Sequence, residues 1–339
     1  MQNILVTGGA GYIGSHTVVE LHNAGYNPII VDNLSNSRKS VLNGLKNITG
    51  KDFTFYQIDC NDKEAFREVF KSHEISGVIH FAAYKAVGES VAKPLDYYEN
   101  NVGSLMTLIR LMKEEGVEKL IFSSSCTVYG QPEQLPVTEQ SPKKTAESPY
   151  GNTKQVCEEI IEDASISDKS FRAIALRYFN PVGAHPSSEI GELPLGIPNN
   201  LVPFITQTAA GWREQLTVFG NDYDTEDGSC VRDYIHVVDL AKAHVKSLEY
   251  LTLHSNLSFD IFNIGTGMGN TVLEMVNTFE EVSGVKLNYK VGERRNGDIE
   301  KIYADVTKST EILGWQTEKS LKDSLKDSWN WQLTLKKGV

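Results

Sequence analysis

The chain has 339 residues, of which 40% are hydrophobic, and carries a formal net charge of −11 at pH 7. This length is enough for two lobes with a large core, and the negative charge disfavours binding of nucleic acid or anionic membranes. No apolar run approaches the ~20 residues that span a bilayer. The four cysteines are too widely spaced for a zinc site or a disulfide framework. We therefore expect a cytoplasmic metabolic protein without a metal ion.

Short apolar runs alternate with longer stretches of helical spacing up to about residue 180. This alternation is typical of βαβ units, which build a parallel sheet with helices on both faces. The predicted strands are Asn3–Thr7, Pro28–Asp32, Phe53–Ile58, Gly77–Phe81, Lys119–Ser123 and Phe171–Leu176. The predicted helices are Tyr12–Ala24, Lys63–Ser72, Tyr97–Glu115 and Tyr150–Ile161. The expected fold is α/β, with a doubly wound parallel sheet.

The alternation ends near residue 180. Pro- and Gly-rich segments, Pro181–Pro186 and Gly191–Pro198, are then mixed with short strands and helices. We expect residues 1–180 to form the first domain and residues 181–339 a second, smaller α/β lobe. Part of residues 231–265, such as Asp260–Gly265, is a candidate to return to the first sheet.

A glycine-rich loop separates the first predicted strand from the first helix. Gly9, Gly11 and Gly14 satisfy the pattern Gly-x-Gly-x-x-Gly, and Gly8 begins a second, overlapping pattern. Glycine is needed in such a loop because a Cβ atom would keep the backbone from approaching a pyrophosphate at the helix N-terminus. The context of strand and helix predicts a dinucleotide-binding Rossmann fold.

Asp32 closes the second predicted strand, eighteen residues after Gly14. A carboxylate at this place accepts hydrogen bonds from the ribose hydroxyls of the adenosine and repels a 2′-phosphate. It therefore favours NAD over NADP, whereas the nearby Arg38 and Lys39 favour NADP weakly. We predict NAD as the cofactor.

Tyr150 and Lys154 are four residues apart, so both lie on one face of the predicted helix. A neighbouring ammonium favours the phenolate, which allows a tyrosine to act as a base near neutral pH. Ser125 lies close to the carboxyl end of the fifth predicted strand, where ligands of doubly wound sheets bind. We predict that Tyr150, Lys154 and Ser125 form a catalytic site beside the reactive ring of the cofactor.

With these motifs in place, the sequence resembles the extended short-chain dehydrogenase/reductase family and, within it, the UDP-glucose 4-epimerases. The resemblance extends over nearly the whole chain, through Thr7–His16, Val31–Leu34, His80–Ala83, Lys85–Ser90, Phe122–Gly130, Arg177–Pro186 and Val231–Val237. It implies that NAD oxidises C4 of a UDP-hexose, that the 4-keto sugar rotates, and that the same hydride returns to the other face. The implied reaction interconverts UDP-glucose and UDP-galactose. The resemblance also implies a homodimer formed through the helices near Tyr97–Glu115 and Tyr150–Ile161.

The resemblance further implies which residues contact the ligands. Besides the glycines, it assigns to NAD the residues Tyr12, Ile13, Asp32, Asn33, Asn36, Ser37, Asp59, Cys60, Phe81, Ala82, Lys85, Asn100, Ser125, Tyr150, Lys154 and Phe179. It assigns to the UDP-sugar the residues Asn180, Asn200, Leu201, Thr217, Phe219, Arg232, Arg295 and Asp298. Two phosphates in an acidic protein need local cationic donors, and Arg232 and Arg295 are the candidates. We expect Arg294 to be a surface charge and His236 to be structural.

Ile302 departs from the family pattern. It occupies a position where family members have a large tyrosine or a small cysteine, which decides whether N-acetylated sugars enter. An epimerase for another UDP-sugar, such as UDP-GlcNAc, a uronate or a pentose, is therefore the open alternative. A nucleotide-sugar 4,6-dehydratase is disfavoured because Cys126 and Thr127 replace the acidic pair that it needs. A catalytically silent NAD sensor is disfavoured because the tyrosine, lysine and serine are all present.

Overall fold

A parallel sheet of seven strands forms the centre of the protein. The computed structural model describes residues 1–295 and 298–336. The strands within these ranges are β1 (Asn3–Thr7), β2 (Asn27–Val31), β3 (Thr54–Tyr56), β4 (Ile75–His80), β5 (Lys119–Ser125), β6 (Arg172–Tyr178), β7 (Asn180–Val182), β8 (Leu216–Phe219), β9 (Val231–Arg232), β10 (Tyr234–His236), β11 (Phe259–Ile264), β12 (Asn270–Thr271), β13 (Tyr289–Gly292) and β14 (Lys301–Ile302).

The central strands lie in the order β3-β2-β1-β4-β5-β6-β11, and all neighbouring pairs are parallel. The chain starts in the middle of the sheet and winds outward in both directions, as in a doubly wound fold. The predicted fold class is therefore confirmed. Strand β11 adds a seventh member to the six strands that we predicted, because the chain returns after residue 258 and pairs Phe259 with Ala173 of β6.

The helices cover both faces of this sheet and build most of the second lobe. They are α1 (Tyr12–Asn23), α2 (Val41–Thr49), α3 (Lys63–Ser72), α4 (Val87–Ala92), α5 (Pro94–Tyr97), α6 (Gly103–Glu114), α7 (Pro149–Ser167), α8 (Leu201–Ala209), α9 (Val237–Leu253), α10 (Val272–Ser283), α11 (Thr307–Leu313) and α12 (Leu321–Lys336). None of the described helices is long and apolar enough to cross a membrane.

The helix predicted over Tyr97–Glu115 is interrupted at its start. Residues Tyr98–Val102 form a π-helical turn between α5 and α6. The Asn101 side chain explains the departure, because its amide oxygen accepts from the Tyr84 N–H at 2.7 Å and its Nδ2 donates to the Tyr84 carbonyl at 3.0 Å. The turn therefore ties this helix to the loop that follows β4.

Side chains of β1 show why the sheet needs helices on both faces. Ile4 and Val6 pack in one buried cluster with Leu240 of α9. Leu5, which points the other way, packs in a second cluster with Leu105 of α6. Parallel strands buried on both faces are typical of α/β proteins. Helix α9 comes from beyond residue 180, so the later part of the chain completes the first core.

The C-terminal lobe is smaller and has a core of its own. It contains three short sheets: β7 with β10, β8 with β13, and β9 between β12 and β14. Beneath them, Ile205 of α8, Phe279 of α10 and Leu325 of α12 belong to one buried cluster. The predicted second lobe is thus confirmed, and it lies next to the carboxyl ends of the central strands through β7, which directly follows β6.

Candidate active site

The glycine-rich loop forms a close-packed turn between β1 and α1. Gly8 has a positive φ of 69°, and a Cβ atom there would lie 2.9 Å from the Ala82 nitrogen. A Cβ atom on Gly14 would lie 2.2 Å from the Gly8 carbonyl oxygen. Gly11 caps α1 without a side-chain hydrogen bond, so the first-turn N–H groups and the helix dipole are presented to an anion. These residues fit a dinucleotide pyrophosphate.

Asp32 organises the loop that follows β2. One carboxylate oxygen accepts from the Leu34 N–H at 2.9 Å and the Ser37 hydroxyl at 2.8 Å, while the other accepts from the Ala10 N–H at 3.1 Å. The carboxylate therefore fixes the loop against the glycine turn. Each oxygen has two lone pairs, so the group retains acceptor capacity for a ribose hydroxyl.

The other residues assigned to NAD follow the carboxyl ends of several strands. Asn33, after β2, donates to Asp59, after β3, at 2.9 Å, and Phe81 and Ala82 follow β4 beside Gly8. Three further positions lie near this edge by their place in the chain: Ile13 in the first turn of α1, Asn100 in the π-helical turn and Phe179 directly after β6. Asn36 is exposed in the loop after β2, and Cys60 packs its side chain into the apolar core.

The proposed catalytic residues converge between β5 and α7. Ser148 caps α7 by accepting from the Gly151 N–H at 3.2 Å, which places Tyr150 in the first turn. Ser125, the last residue of β5, has its side chain close enough to the Tyr150 phenol to oppose the effect of burial on its pKa. One turn further along the helix, Lys154 donates from Nζ to the Ser123 carbonyl at 2.7 Å. All three predicted residues therefore lie at one strand end.

Burial dominates the electrostatics of this pair. Removal from water raises the pKa of Tyr150 to about 12, against the smaller opposing effect of the Ser125 side chain. Burial also lowers the pKa of Lys154 to about 8. The Lys154 Nζ atom lies 5.9 Å from the centre of the Tyr150 ring, so it acts through space and does not by itself offset the burial of the phenol. A further positive charge is needed to favour the phenolate.

The residues assigned to the two phosphates form a second polar cluster. Arg295 donates to both carboxylate oxygens of Asp298, at 3.2 and 2.8 Å, and its guanidinium carbon lies 5.2 Å from the centre of the Phe219 ring. Arg232, on β9, approaches the same carboxylate at 3.9 Å. Thr217 lies two residues before Phe219 on β8 and so shares its face. The two residues between Arg295 and Asp298 lie outside the described residues.

Glu192 joins residues of the two ligand sites and was missed by sequence reasoning. Its carboxylate accepts from Lys85, which we assigned to NAD, at 3.3 Å, and from Asn200, which we assigned to the UDP-sugar, at 2.6 Å. Asn200 in turn caps α8, so that Leu201 follows it as the first helical residue. Glu192 lies in a Pro- and Gly-rich segment without periodicity, and nothing in its spacing indicated this role.

The three remaining residues, Arg294, His236 and Ile302, lie in different surroundings. Arg294 donates to Asp222 at 2.7 Å on the surface, and its guanidinium carbon lies 4.0 Å from the centre of the Tyr223 ring. His236 is buried and caps α9 by accepting from the Val238 N–H. Ile302 is buried in one apolar cluster with Phe179 and pairs with Arg232 between β14 and β9, so it lies between the two polar clusters.

The fold, the glycine loop and the Tyr150–Lys154 pair define a dinucleotide-dependent enzyme of the short-chain dehydrogenase/reductase class. A family model described as GDP-mannose 4,6 dehydratase matches residues 5–328. A UDP-glucose 4-epimerase of Bacillus subtilis is 55% identical over 329 residues, covering 97% of this chain and 96% of that protein.

Two crystal structures are similar over 100% of both chains. One is a UDP-glucose 4-epimerase from Bifidobacterium longum in complex with NAD⁺ and UDP, with a TM-score of 0.96 and 46% identity. The other is a UDP-glucose 4-epimerase from Stenotrophomonas maltophila with bound NAD and formylated UDP-arabinopyranose, with a TM-score of 0.97 and 44% identity. The chain belongs to the UDP-glucose 4-epimerases of the extended short-chain dehydrogenase/reductase family, and it is an NAD-dependent isomerase.

Proposed function

We propose that Ser125, Tyr150 and Lys154 are the residues with which this enzyme interconverts UDP-glucose and UDP-galactose. The observation that supports this assignment is that the buried Tyr150 and Lys154, one helical turn apart on α7, converge with Ser125 at the carboxyl end of β5, where Lys154 donates to the Ser123 carbonyl. Bound NAD supplies an oxidant that takes a hydride from C4 and returns it. The sugar passes through a 4-keto form, rotates and is reduced on its other face, so no net redox change occurs.

Ser125 binds the sugar O4, and Tyr150 transfers its proton. Ser125 accepts from the Thr127 N–H at 3.2 Å and from the Thr127 hydroxyl at 3.0 Å, which orients its oxygen and leaves its own proton free to donate. It can therefore hold the O4 hydroxyl against the phenol. Tyr150 takes the O4 proton as the C4 hydride leaves, and returns it in the second half of the reaction. Lys154 supplies positive charge to the phenolate and orients the nicotinamide ribose.

Arg232 and Arg295 hold the diphosphate of the substrate, and Asp298 holds its ribose. The guanidinium groups lie around one carboxylate, which keeps the two like charges close together. Thr217 and Phe219 contact the uracil, while Asn180, Asn200 and Leu201 contact the nucleotide or the sugar. Anchoring through the nucleotide leaves the sugar itself loosely held, which is what rotation of the 4-keto form requires.

Cys126 and Thr127 argue against a 4,6-dehydratase activity, although the matching family model carries that description. Elimination of water from the sugar needs a carboxylic acid as proton donor and a carboxylate as base. Here a thiol and a hydroxyl follow Ser125 in a short 3₁₀ turn, Cys126–Tyr129. Burial raises the pKa of Cys126 to about 12, so the thiol does not replace an acid.

Conversion without added reductant tests the function. Purified protein is incubated separately with UDP-galactose and with each member of a panel that includes UDP-GlcNAc, UDP-uronates and UDP-pentoses, and the products are followed by NMR. Without external NADH, we expect the conversion of UDP-galactose to UDP-glucose to be faster than the epimerisation of the other UDP-sugars. A requirement for stoichiometric NADH contradicts the proposed cycle. Faster conversion of another UDP-sugar would show that this sugar, and not UDP-galactose, is the preferred substrate.

We assign NAD binding to residues 1–180 and substrate binding to residues 181–339. The exception is the segment that forms α9 and β11, which packs on and extends the central sheet. NAD contacts are assigned to the cofactor residues predicted from the sequence, with Gly8, Gly11 and Gly14 receiving the pyrophosphate. Lys85 reaches NAD only after it leaves Glu192, and Tyr12 reaches it from the first turn of α1.

We further propose that the enzyme is a cytoplasmic homodimer. All four cysteines are free, which fits a reducing compartment. Val91 and Leu95 are 63% and 77% exposed on α4 and α5, and Met106 is partly exposed on α6, close to α7. Apolar side chains on neighbouring helices suit a self-complementary interface. Light scattering after size-exclusion chromatography should give twice the chain mass, and Leu95→Asp should lower it; a monomeric parent protein contradicts the proposal.

A further inference from the structure

Glu158 continues the face of α7 that carries Tyr150 and Lys154. The three residues are spaced by four, so their side chains line up along the helix. Each meets one of the last three residues of β5. Tyr150 lies beside Ser125, Lys154 donates to the Ser123 carbonyl at 2.7 Å, and the Ser124 hydroxyl donates to Glu158 at 2.6 Å. Glu158 therefore extends the contact that Tyr150 and Lys154 make between α7 and the end of β5.

Glu158 is a buried carboxylate with a strong partner. It is 1% exposed, and Arg177 of β6, also 1% exposed, donates to both of its oxygens at 2.8 and 2.7 Å. Burial alone would raise the pKa of Glu158, but the hydrogen bonds and charge of Arg177 outweigh it and hold the pKa below its usual range. Lys143 adds a second cation at 3.4 Å. The group therefore remains negatively charged at neutral pH.

Arg177 is itself fixed on the far side. It donates to the Tyr129 hydroxyl at 3.1 Å, and Tyr129 donates to Asn263 of β11 at 2.6 Å. In the sheet, Arg177 is the register partner of Ser124. Both donors to Glu158 thus come from neighbouring strands, which fixes the position of the carboxylate relative to the strand ends.

The groups facing Lys154 differ in their effect on its charge. On its own helix lie Tyr150, Cys157 and Glu158. The neighbouring strands present the Ser123 carbonyl and the Phe122 ring of β5 and the His80 imidazole of β4, while Tyr178 of β6 bonds the Ser123 side chain. Burial lowers the pKa of Lys154 to about 8, and Cys157 and Glu158 oppose that effect. Among these groups, Glu158 is the one that carries a negative charge at neutral pH.

We propose that Glu158 is a positioning residue for the epimerase reaction. Its carboxylate, fixed by Arg177 and Ser124, holds the catalytic face of α7 in register with Ser123–Ser125 and keeps the Lys154 ammonium charged. This role rests on the proposed functions of Tyr150 and Lys154, and it involves no contact between Glu158 and the substrate.

The pH dependence of kcat distinguishes this role from a merely structural one. Glu158→Gln keeps the acceptor for Ser124 but removes the negative charge, so Lys154 loses its proton at lower pH. The alkaline limb of the kcat profile should move down by about one pH unit, which makes kcat about tenfold lower on that limb. The KM for UDP-galactose and the content of bound NAD should not change.

Two further variants keep the test decisive. Because a lone buried Arg177 can unfold the protein, Glu158→Gln is also combined with Arg177→Met, a change that removes both buried charges and is often tolerated. Ser124→Ala deletes one donor and no charge, so it should lower kcat without moving the alkaline limb. The control is Glu118→Gln with Arg172→Met, an ion pair at the other end of the same two strands, 3.2 Å apart, which should not move the limb.

The outcomes separate this inference from the proposed function. An alkaline limb that stays in place in Glu158→Gln, or moves equally in the control, overturns the role of Glu158. The double variant, which also removes the Arg177 charge, should show a smaller shift in the same direction. If Tyr150→Phe turns over at a normal rate, the catalytic assignment itself fails. If Tyr150→Phe is inactive while all the Glu158 and Ser124 variants match the parent enzyme, only the inference about Glu158 is overturned.

Discussion

The two polar clusters of this enzyme are built in opposite ways. Lys154 is 2% exposed and lies buried between α7 and β5, whereas the Arg295 side chain is 58% exposed at the edge of the second lobe. Burial changes the proton affinity of a base and so suits the chemical step. Exposure lets a charged nucleotide enter and leave, and suits binding. Changes in the first cluster should therefore act on kcat, and changes in the second on KM.

Tyr150→Phe should have the largest effect. Removing the hydroxyl takes away the base, so kcat should fall at least ~100-fold, while bound NAD is retained because the ring remains. Steady-state assays and the absorbance of released cofactor measure the two quantities. Tyr250→Phe, on α9 at the opposite face of the sheet, should match the parent enzyme. Near-normal turnover of Tyr150→Phe would falsify the assignment of Tyr150 as the base, and with it the expectation that changes in the buried cluster lower kcat.

Arg295→Ala should raise the KM for UDP-galactose and leave kcat nearly unchanged. A charge-assisted contact with a phosphate is worth enough to raise KM by about 20-fold. Arg294→Ala is the matched control, since it removes the same charge from the adjacent position, where Arg294 binds Asp222. Its effect should stay below about fivefold, as for a surface ion pair. Equal effects of the two variants would mean that general charge, and not a phosphate contact, is being measured.

Ile302→Cys tests whether Ile302 limits which UDP-sugars the enzyme accepts. The smaller side chain should enlarge the space beside Phe179 and raise the rate with UDP-GlcNAc relative to UDP-glucose by about tenfold. The ratio of the two kcat/KM values is the measurement. Ile312→Cys, on the surface of α11, is the control and should leave the ratio unchanged. An unchanged ratio in Ile302→Cys as well removes this residue from sugar selection.

Local spacing carried most of what the sequence predicted. The glycine loop, Asp32 and the Tyr150–Lys154 pair depend on neighbours within one turn or one strand end, so the pattern itself contains the geometry. The doubly wound parallel sheet followed from the alternation of strands and helices. These residues occupy the places in the fold that their motifs indicated, while their contacts with ligands stay predictions.

Long-range pairing could not be predicted in the same way. Asp260–Gly265 was a candidate to return to the first sheet, but this apolar run has no local feature that names β6, about eighty residues earlier, as its partner. Glu192 and Glu158 had no motif, because a carboxylate between distant donors leaves no spacing in the sequence. The raised pKa of Tyr150 was also missed, since burial depends on packing from several elements.

The return of the chain to β11 has a consequence for how such enzymes can be rebuilt. A fragment cut at residue 180 would expose the edge of β6 and lack the α9 cover of the first core, so the front half is not an independent folding unit. Joining the front half of one relative to the back half of another therefore also exchanges α9 and β11, and with them part of the packing of the first core. An exchange of individual loops within an intact frame leaves that packing unchanged.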